Sequence, residues 1–211
     1  MKFVFVHGWS FDRRFWYPLV AELACPEAIL LEMGYFGAPP QLDLPNEPYI
    51  AIGHSAGFLW LLGQDLRHCQ GLVALNGFAR FAKGADFPDG VPARQLARMS
   101  SRLSQSPNGV IADFHALCRP DIGWTGTPNI ERLTLGLNRL QNDDFRREAA
   151  RWGDRLAWLS GADDPLLLPE VARASFPAES YGKFVTGGHL LPIAQPIHCA
   201  TFIAAALDRL A

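Results

Sequence analysis

The stretch AIGHSAGFL, residues 51–59, decides the fold. It follows an apolar run that predicts a buried strand, and it puts Gly53 and Gly57 on either side of Ser55. The pattern Gly-x-Ser-x-Gly is typical of a sharp strand-to-helix turn that presents a serine hydroxyl above a sheet. Glycine is expected at both flanks, because a side chain there would clash with neighbouring backbone. The alternative is that Ser55 only caps the helix that begins at Ala56.

The composition is that of an ordinary globular chain. It has 211 residues, of which 49% are hydrophobic and 19% charged, with a formal net charge of −2. This length suffices for one sizeable core, and the charge balance favours neither nucleic acid nor an anionic membrane as a partner. No apolar run approaches the ~20 residues of a membrane helix. The apolar stretch at the N-terminus is too short for a signal peptide, so we expect a cytoplasmic protein. The cysteines lack metal-site spacing and are expected to be free buried thiols in a reducing cytoplasm, the alternative being disulfide pairing in an exported protein: Cys25, Cys69, Cys118 and Cys199.

Short apolar runs alternate along the chain with segments of helical period. Near-continuous apolar runs suit parallel strands that are buried on both faces. The predicted strands are 2–8, 27–33, 49–54, 71–77, 155–161 and 183–188, and the predicted helices are 13–24, 56–68, 168–175 and 195–210. The alternation predicts an α/β fold with a mostly parallel sheet of about six strands and helices on both faces.

The alternation stops between Phe78 and Trp152. Amphipathic pieces interrupted by prolines replace it, which predicts a helical insertion. We therefore divide the chain into a core, residues 1–77 and 153–211, and a helical lid insertion, residues 78–152. Ligands of open α/β sheets bind at the carboxyl ends of the strands, and an insertion that leaves such an end is placed to cover the site.

A serine hydroxyl needs a base within hydrogen-bond reach, and the base needs an orienting acid. His189 lies in TGGHLLP, just after the last predicted strand, where two glycines allow the backbone to bring the imidazole toward Ser55. The alternative is a loop histidine without a role. Asp163 and Asp164 both follow the preceding strand; the turn favours Asp164 as the inward carboxylate and leaves Asp163 solvated or capping the turn. We predict a catalytic triad of Ser55, Asp164 and His189.

The stretch FVHGWS, residues 5–10, ends the first predicted strand with a tight His-Gly turn. Such a turn can aim a backbone N–H at the place where an oxyanion forms. We expect the N–H groups of Trp9 and Ala56 to form the oxyanion hole. This chemistry needs no metal ion and no organic cofactor.

The motifs HGW (7–9), GHSAG (53–57), GADD (161–164) and GGH (187–189) together resemble the α/β-hydrolase superfamily. Within it, the chain is similar to the pimeloyl-acyl-carrier-protein methyl ester esterases of biotin synthesis. That closer resemblance lies in four stretches: NGFARF (76–81), FPDGVPARQL (87–96), VIADFHAL (110–117) and GLNRLQNDDFR (136–146).

The resemblance implies an ester hydrolase that acts through an acyl-enzyme, with Trp9 and Phe114 contacting the substrate. For Phe114, a purely structural role in the lid is an equal alternative. Asp113 stands where the resembled family has an arginine that helps to hold the acidic acyl carrier protein, which puts carrier binding in question. A basic stripe is the candidate replacement, although a solvated helix face is the favoured interpretation: Arg94, Arg98 and Arg102. The same triad would also serve a thioesterase, an acyltransferase or a generalist short-chain carboxylesterase.

Overall fold

The structure, a computed structural model, describes residues 1–25, 27–118 and 126–210. Within these residues, six strands form one sheet in the order β2-β1-β3-β4-β5-β6, and every neighbouring pair is parallel. The strands are β1 (Lys2–Val6), β2 (Ala28–Leu31), β3 (Tyr49–His54), β4 (Cys69–Leu75), β5 (Leu156–Gly161) and β6 (Tyr181–Val185). The predicted α/β architecture with its parallel sheet is confirmed.

Apolar residues bury both faces of the central strands. Along β3, Ala51 belongs to the core on one face, whereas Ile50 and Ile52 belong to the core on the other. The side chains of a strand alternate between its two faces, so a continuous apolar run is what burial on both faces requires. The edge strand β6 is the exception, since none of its residues is fully buried.

Helices cover both faces of the sheet. On one face α1 (Tyr17–Leu23) packs against α9 (Pro196–Leu210), and on the other α2 (Ala56–Leu62) packs on β3. The remaining helices are α3 (Ala93–Leu103), α4 (Pro107–Cys118), α5 (Ile130–Asn142), α6 (Arg146–Ala150), α7 (Pro169–Ser175) and α8 (Leu191–Ala194). None of the helices in the described ranges is both long and apolar enough to span a membrane.

The helices α3 to α6 lie between β4 and β5 in the chain, in the segment expected to form the insertion. There α3 packs against both α4 and α5, and α5 also contacts α2. Residues 119–125 of the expected insertion lie outside the described residues.

The predicted strands match the observed ones to within three residues at their ends. Three further predictions differ from the structure. The helix predicted over 56–68 ends at Leu62, because Gly63 turns its N–H back to the carbonyls of the last turn and the Gln64 amide caps the Trp60 carbonyl. The helix predicted over 13–24 begins as a 3₁₀ turn, Arg13–Trp16. All four cysteines are free thiols, but Cys25 is half-buried rather than buried.

The order of the strands places β1 between β2 and β3. After β2 the chain therefore returns to the other side of β1, so the carboxyl ends of β1 and β3 flank the point where the winding reverses. In open α/β sheets, ligands bind in the crevice at such a point. The HGW turn follows β1 and Ser55 follows β3, so the predicted site residues start from this crevice.

Candidate active site

Ser55 lies in a tight turn between β3 and α2. Its φ of 52° and ψ of −126° put a non-glycine residue in a left-handed conformation, which is costly and is held by its surroundings. A Cβ on Gly53 would lie 2.5 Å from the Cα of Phe58, and one on Gly57 would lie 2.5 Å from the carbonyl oxygen of His7. Both glycines are therefore required by close backbone approach, as the sequence predicts.

His189 is buried at the end of a glycine-rich loop that follows β6. Its Nε2 lies 3.1 Å from the Oγ of Ser55, and its Nδ1 lies 2.7 Å from the Oδ2 of Asp164. If Nδ1 donates its proton to the carboxylate, Nε2 is left to accept the serine proton. The three side chains form one continuous hydrogen-bonded chain, although 134 residues separate the serine from the histidine.

Asp164 is the carboxylate that faces His189, whereas Asp163 is exposed and accepts the N–H of Gly187 at 3.1 Å. Burial alone would raise the pKa of the Asp164 carboxyl, but its interaction with His189 and its hydrogen bonds lower that pKa below the ordinary value. The other donors to this carboxylate are the backbone N–H groups of Leu166 and Leu167 and the amide of Asn76.

The expected oxyanion donors follow β1 and β3, the two strands that flank the crevice. Ala56 is the first residue of α2, so its N–H has no acceptor within the helix. Trp9 follows the tight turn after β1, which His7 fixes by accepting the N–H of Met33 at 3.1 Å. The Trp9 indole donates to the carbonyl of Leu133 in α5, 2.9 Å away. The backbone at Trp9 is therefore held from both sides.

A mostly apolar cavity of about 210 Å³ opens beside Ser55 and His189. Trp9 and Phe114 meet edge to face in its wall, with ring centroids 5.0 Å apart. Helices α3, α4 and α5 supply most of the other lining side chains, among them Leu96, Met99, Val110, Leu137 and Leu140. This lining suits an apolar ligand group.

Solved structures of other proteins share this architecture. The chain superposes on an esterase from Exiguobacterium antarcticum with a TM-score of 0.79 at 12% identity, covering 99% of this chain and 92% of that one. For a hydrolase from Pseudomonas aeruginosa the TM-score is 0.78 at 15% identity, with 98% and 89% covered. The chain has the α/β-hydrolase fold.

The sequence relatives of this chain point more narrowly. The chain is 26% identical over 212 residues to a pimeloyl-[acyl-carrier protein] methyl ester esterase of Legionella pneumophila, covering 90% of this chain and 88% of that one. It is 24% identical over 221 residues to the protein of the same name in Xanthomonas oryzae, covering 88% and 87%. No family model matches. The resemblance inferred from the motifs is confirmed: both relatives bear the name of the family to which the motifs pointed.

The basic stripe lies on α3, with Arg94, Arg98 and Arg102 all exposed and Leu96 and Leu103 buried on the opposite side. Arg102 differs from the other two. Its Nη2 lies 2.9 Å from the Oδ2 of Asp113 on α4, and both residues line the outer part of the cavity. The carboxylate that replaces an arginine of the resembled family is therefore an ion-pair partner of the stripe itself.

Sequence reasoning missed Asn76, the residue after β4. It is fully buried with a φ of 48°, and its amide donates to Asp164 at 2.7 Å and to the carbonyl of Gly188 at 3.2 Å. An Asn-Gly pair directly after a buried strand was the available signal, since asparagine tolerates the left-handed conformation and places an amide at the carboxyl edge. His54, inside the serine motif, was also given no role.

Proposed function

We propose that this chain is a serine carboxylic ester hydrolase that acts through an acyl-enzyme, with Ser55 as nucleophile, His189 as base and Asp164 as orienting acid. The observation that carries the proposal is the hydrogen-bonded chain from Ser55 Oγ through both nitrogens of His189 to Asp164. All three side chains are at least nine-tenths buried, and Ser55 and His189 line the cavity. This geometry matches the roles that nucleophilic acyl transfer requires.

The reaction has two halves. Ser55 Oγ attacks the ester carbonyl carbon while its proton passes to His189 Nε2, and the carbonyl oxygen becomes an oxyanion. Collapse of this intermediate breaks the ester C–O bond, and His189 returns the proton to the leaving alkoxide, which departs as an alcohol. Water then gives a proton to His189 and attacks the acyl-serine ester. The acid leaves, and Ser55 regains its proton.

The N–H groups of Trp9 and Ala56 are the proposed oxyanion hole. Trp9 comes from the turn after β1 and Ala56 from the start of α2, so the two donors approach the developing charge from adjacent strands. The positive end of the α2 backbone adds to this field. Loss of one such donor typically costs about 10²- to 10³-fold in kcat.

The cavity is the proposed acyl site, with Trp9 and Phe114 contacting the chain next to the carbonyl and the segment 78–152 acting as its lid. We assign the methyl ester of pimeloyl-[acyl-carrier protein] as the physiological substrate, in biotin synthesis. The names of the sequence relatives support this assignment. So does the exposure of Arg94 and Arg98 on α3, which also walls the cavity.

A generalist short-chain carboxylesterase is the second candidate. One observation favours it: the Arg102–Asp113 pair neutralises the innermost arginine of the stripe. This leaves a smaller positive surface for an acidic carrier. The same triad would also hydrolyse a thioester, so matched oxyester and thioester substrates separate the esterase from a thioesterase.

The mechanism is tested with p-nitrophenyl butyrate. We expect the Ser55→Ala variant to lose turnover and to escape labelling by a fluorophosphonate probe. The neighbouring aspartates form a matched pair: we expect Asp164→Asn to lower kcat by about 10⁴-fold because it inverts the preferred histidine tautomer. Asp163→Asn keeps an acceptor for Gly187 and is expected to retain activity. Undiminished turnover by the alanine variant would reject the mechanism.

The substrate is tested with purified pimeloyl-[acyl-carrier protein] methyl ester. Methanol release should proceed with a higher kcat/KM than the hydrolysis of free methyl hexanoate. Equal values for the carrier-linked and free esters would favour the generalist carboxylesterase.

A further inference from the structure

His54 is completely buried at the end of β3, immediately before Ser55. Its imidazole stacks on Phe15, with ring centroids 4.3 Å apart and planes 30° apart. Its Nε2 lies 2.9 Å from the backbone carbonyl oxygen of His189. Because a carbonyl oxygen only accepts hydrogen bonds, Nε2 carries the proton and donates it.

The other ring nitrogen of His54 has no partner among the described residues. It faces the backbone of Gly8, where a Cβ would lie only 2.7 Å from Nδ1. A second proton on the ring would find no acceptor there, so this side of the site favours the neutral imidazole. His54 is therefore built as a single, fixed hydrogen-bond donor.

The loop that carries His189 depends on donors from outside itself. It contains two adjacent glycines, and Gly187 has a φ of 149°. Four successive carbonyls of this loop each accept a hydrogen bond from a different part of the chain: Thr186 from Gln195 Nε2 at 2.7 Å, Gly187 from Asp163 N at 3.0 Å, Gly188 from Asn76 Nδ2 at 3.2 Å and His189 from His54 Nε2 at 2.9 Å. Of these, the His54 bond reaches the residue that bears the imidazole.

We propose that His54 is a positioning residue for the base: its Nε2–H holds the backbone carbonyl of His189 and so sets the distance from the His189 imidazole to Ser55 Oγ. The inference rests on the proposed function. Since His54 and Ser55 are adjacent, one rigid turn fixes both the nucleophile and the donor that places its base. Displacement of a catalytic group by about 1 Å costs up to about 10²-fold in rate.

A matched pair of variants tests the donor alone. Glutamine and methionine have similar length and volume, but only His54→Gln keeps an N–H at the end of the side chain. On p-nitrophenyl butyrate we expect His54→Met to lower kcat by about 10- to 100-fold with KM changed by less than about twofold, and His54→Gln to recover most of the loss. The rate of fluorophosphonate labelling of Ser55 should fall in parallel, while labelling still reaches one equivalent.

The outcomes separate this inference from the proposed function. Equal kcat values for the glutamine and methionine variants, with an inactive Ser55→Ala variant, overturn the positioning role alone. Turnover by Ser55→Ala overturns both. His54→Phe provides a third comparison, because it keeps a ring against Phe15 and removes the donor. If the methionine variant does not fold, wild-type activity in the phenylalanine variant overturns the inference just as directly.

Discussion

Gly57 shows how little space the turn around Ser55 leaves. A side chain at this position would run into the carbonyl oxygens of Val6 and His7, which belong to the backbone and cannot rotate away. We expect Gly57→Ala to lower the free energy of unfolding by about 3 kcal/mol or more, measured by urea denaturation. Gly188→Ala is the control, because nothing lies within 4 Å of its added Cβ. Equal stability of the two variants would contradict this account of the motif.

His54 should also affect stability as the pH falls. Burial, and then the neighbouring His189, lowers the pKa of His54 well below its ordinary value of 6.5. The titratable groups that face it are His189 and His7. Below pH 6.5 the unfolded chain binds a proton at this position and the folded chain does not, so protonation stabilises the unfolded state. The contribution of neutral His54 to the free energy of unfolding is therefore fully present above pH 6.5. It is lost progressively as the pH falls toward the lowered pKa.

The His54→Gln variant isolates this effect. The wild type should lose up to about 1.4 kcal/mol of unfolding free energy per pH unit more than the variant, between about pH 6.5 and the lowered pKa. Urea denaturation of both proteins at a series of pH values measures the difference, and groups common to both cancel. Parallel pH profiles would show that His54 takes up its proton equally readily in the folded and the unfolded chain, which would contradict the lowered pKa.

At the scale of the elements, the Arg102–Asp113 pair joins α3 to α4 across the outer part of the cavity. Both side chains are largely exposed, so the pair contributes little to stability. Its effect is to neutralise the cavity mouth. We expect Asp113→Ala to raise kcat/KM for monomethyl pimelate, relative to methyl hexanoate, by about 3- to 10-fold, because the freed guanidinium can bind the distal carboxylate.

The double variant, in which Arg102→Gln is added to Asp113→Ala, is the control for this selectivity. It should return the ratio of the two kcat/KM values to the wild-type level. An unchanged ratio in the single variant would mean that the arginine does not reach the substrate tail.

The elements also show what a sequence can reveal. Runs such as YIAIGH predict their strands well, because burial on both faces requires continuous apolar residues. The end of α2 was less predictable, because the apolar period continues after Gly63 while the backbone already turns. The spacing of motifs brought Ser55, Asp164 and His189 into one hypothesis. That hypothesis did not include the donors His54 and Asn76, because their roles depend on which loop carbonyls lie beside them in the folded chain.

For the whole molecule, the order of the parallel strands explains how distant residues meet. The carboxyl ends of β1, β3, β4, β5 and β6 share one edge of the sheet, and each is followed by a residue of the site: Trp9, Ser55, Asn76, Asp164 and His189. The helices between β4 and β5 then wall the cavity above this edge. The proposed acyl site is thus formed largely by the helical segment, whereas the proposed catalytic residues follow the strands of the sheet.

This division predicts how a carrier-linked substrate would bind. Arg94 and Arg98 lie on the exposed side of α3, whose other side lines the cavity, so an acidic carrier docked on them would lie next to the cavity mouth. We expect the double variant Arg94→Glu and Arg98→Glu to lower kcat/KM for pimeloyl-[acyl-carrier protein] methyl ester by about tenfold or more, mainly through slower association, and to leave p-nitrophenyl butyrate hydrolysis unchanged. The loss should shrink as salt is raised, because screening weakens the wild-type attraction and the variant's repulsion alike.

The control compares two single reversals, Arg98→Glu on α3 and Arg209→Glu on α9, because each changes the net charge by the same amount. Arg209 is exposed on α9, which packs on the opposite face of the sheet from α2. If the carrier interacts locally with the stripe on α3, reversing the charge of Arg209 changes the net charge but leaves that stripe intact. The value of kcat/KM for the carrier-linked ester should then stay near that of the wild type. An equal loss from reversal at α9 would mean that net charge, rather than the stripe on α3, governs the encounter. No loss from reversal at α3 would leave the stripe as a solvated helix face, and recognition of the acyl group would then depend on the cavity alone.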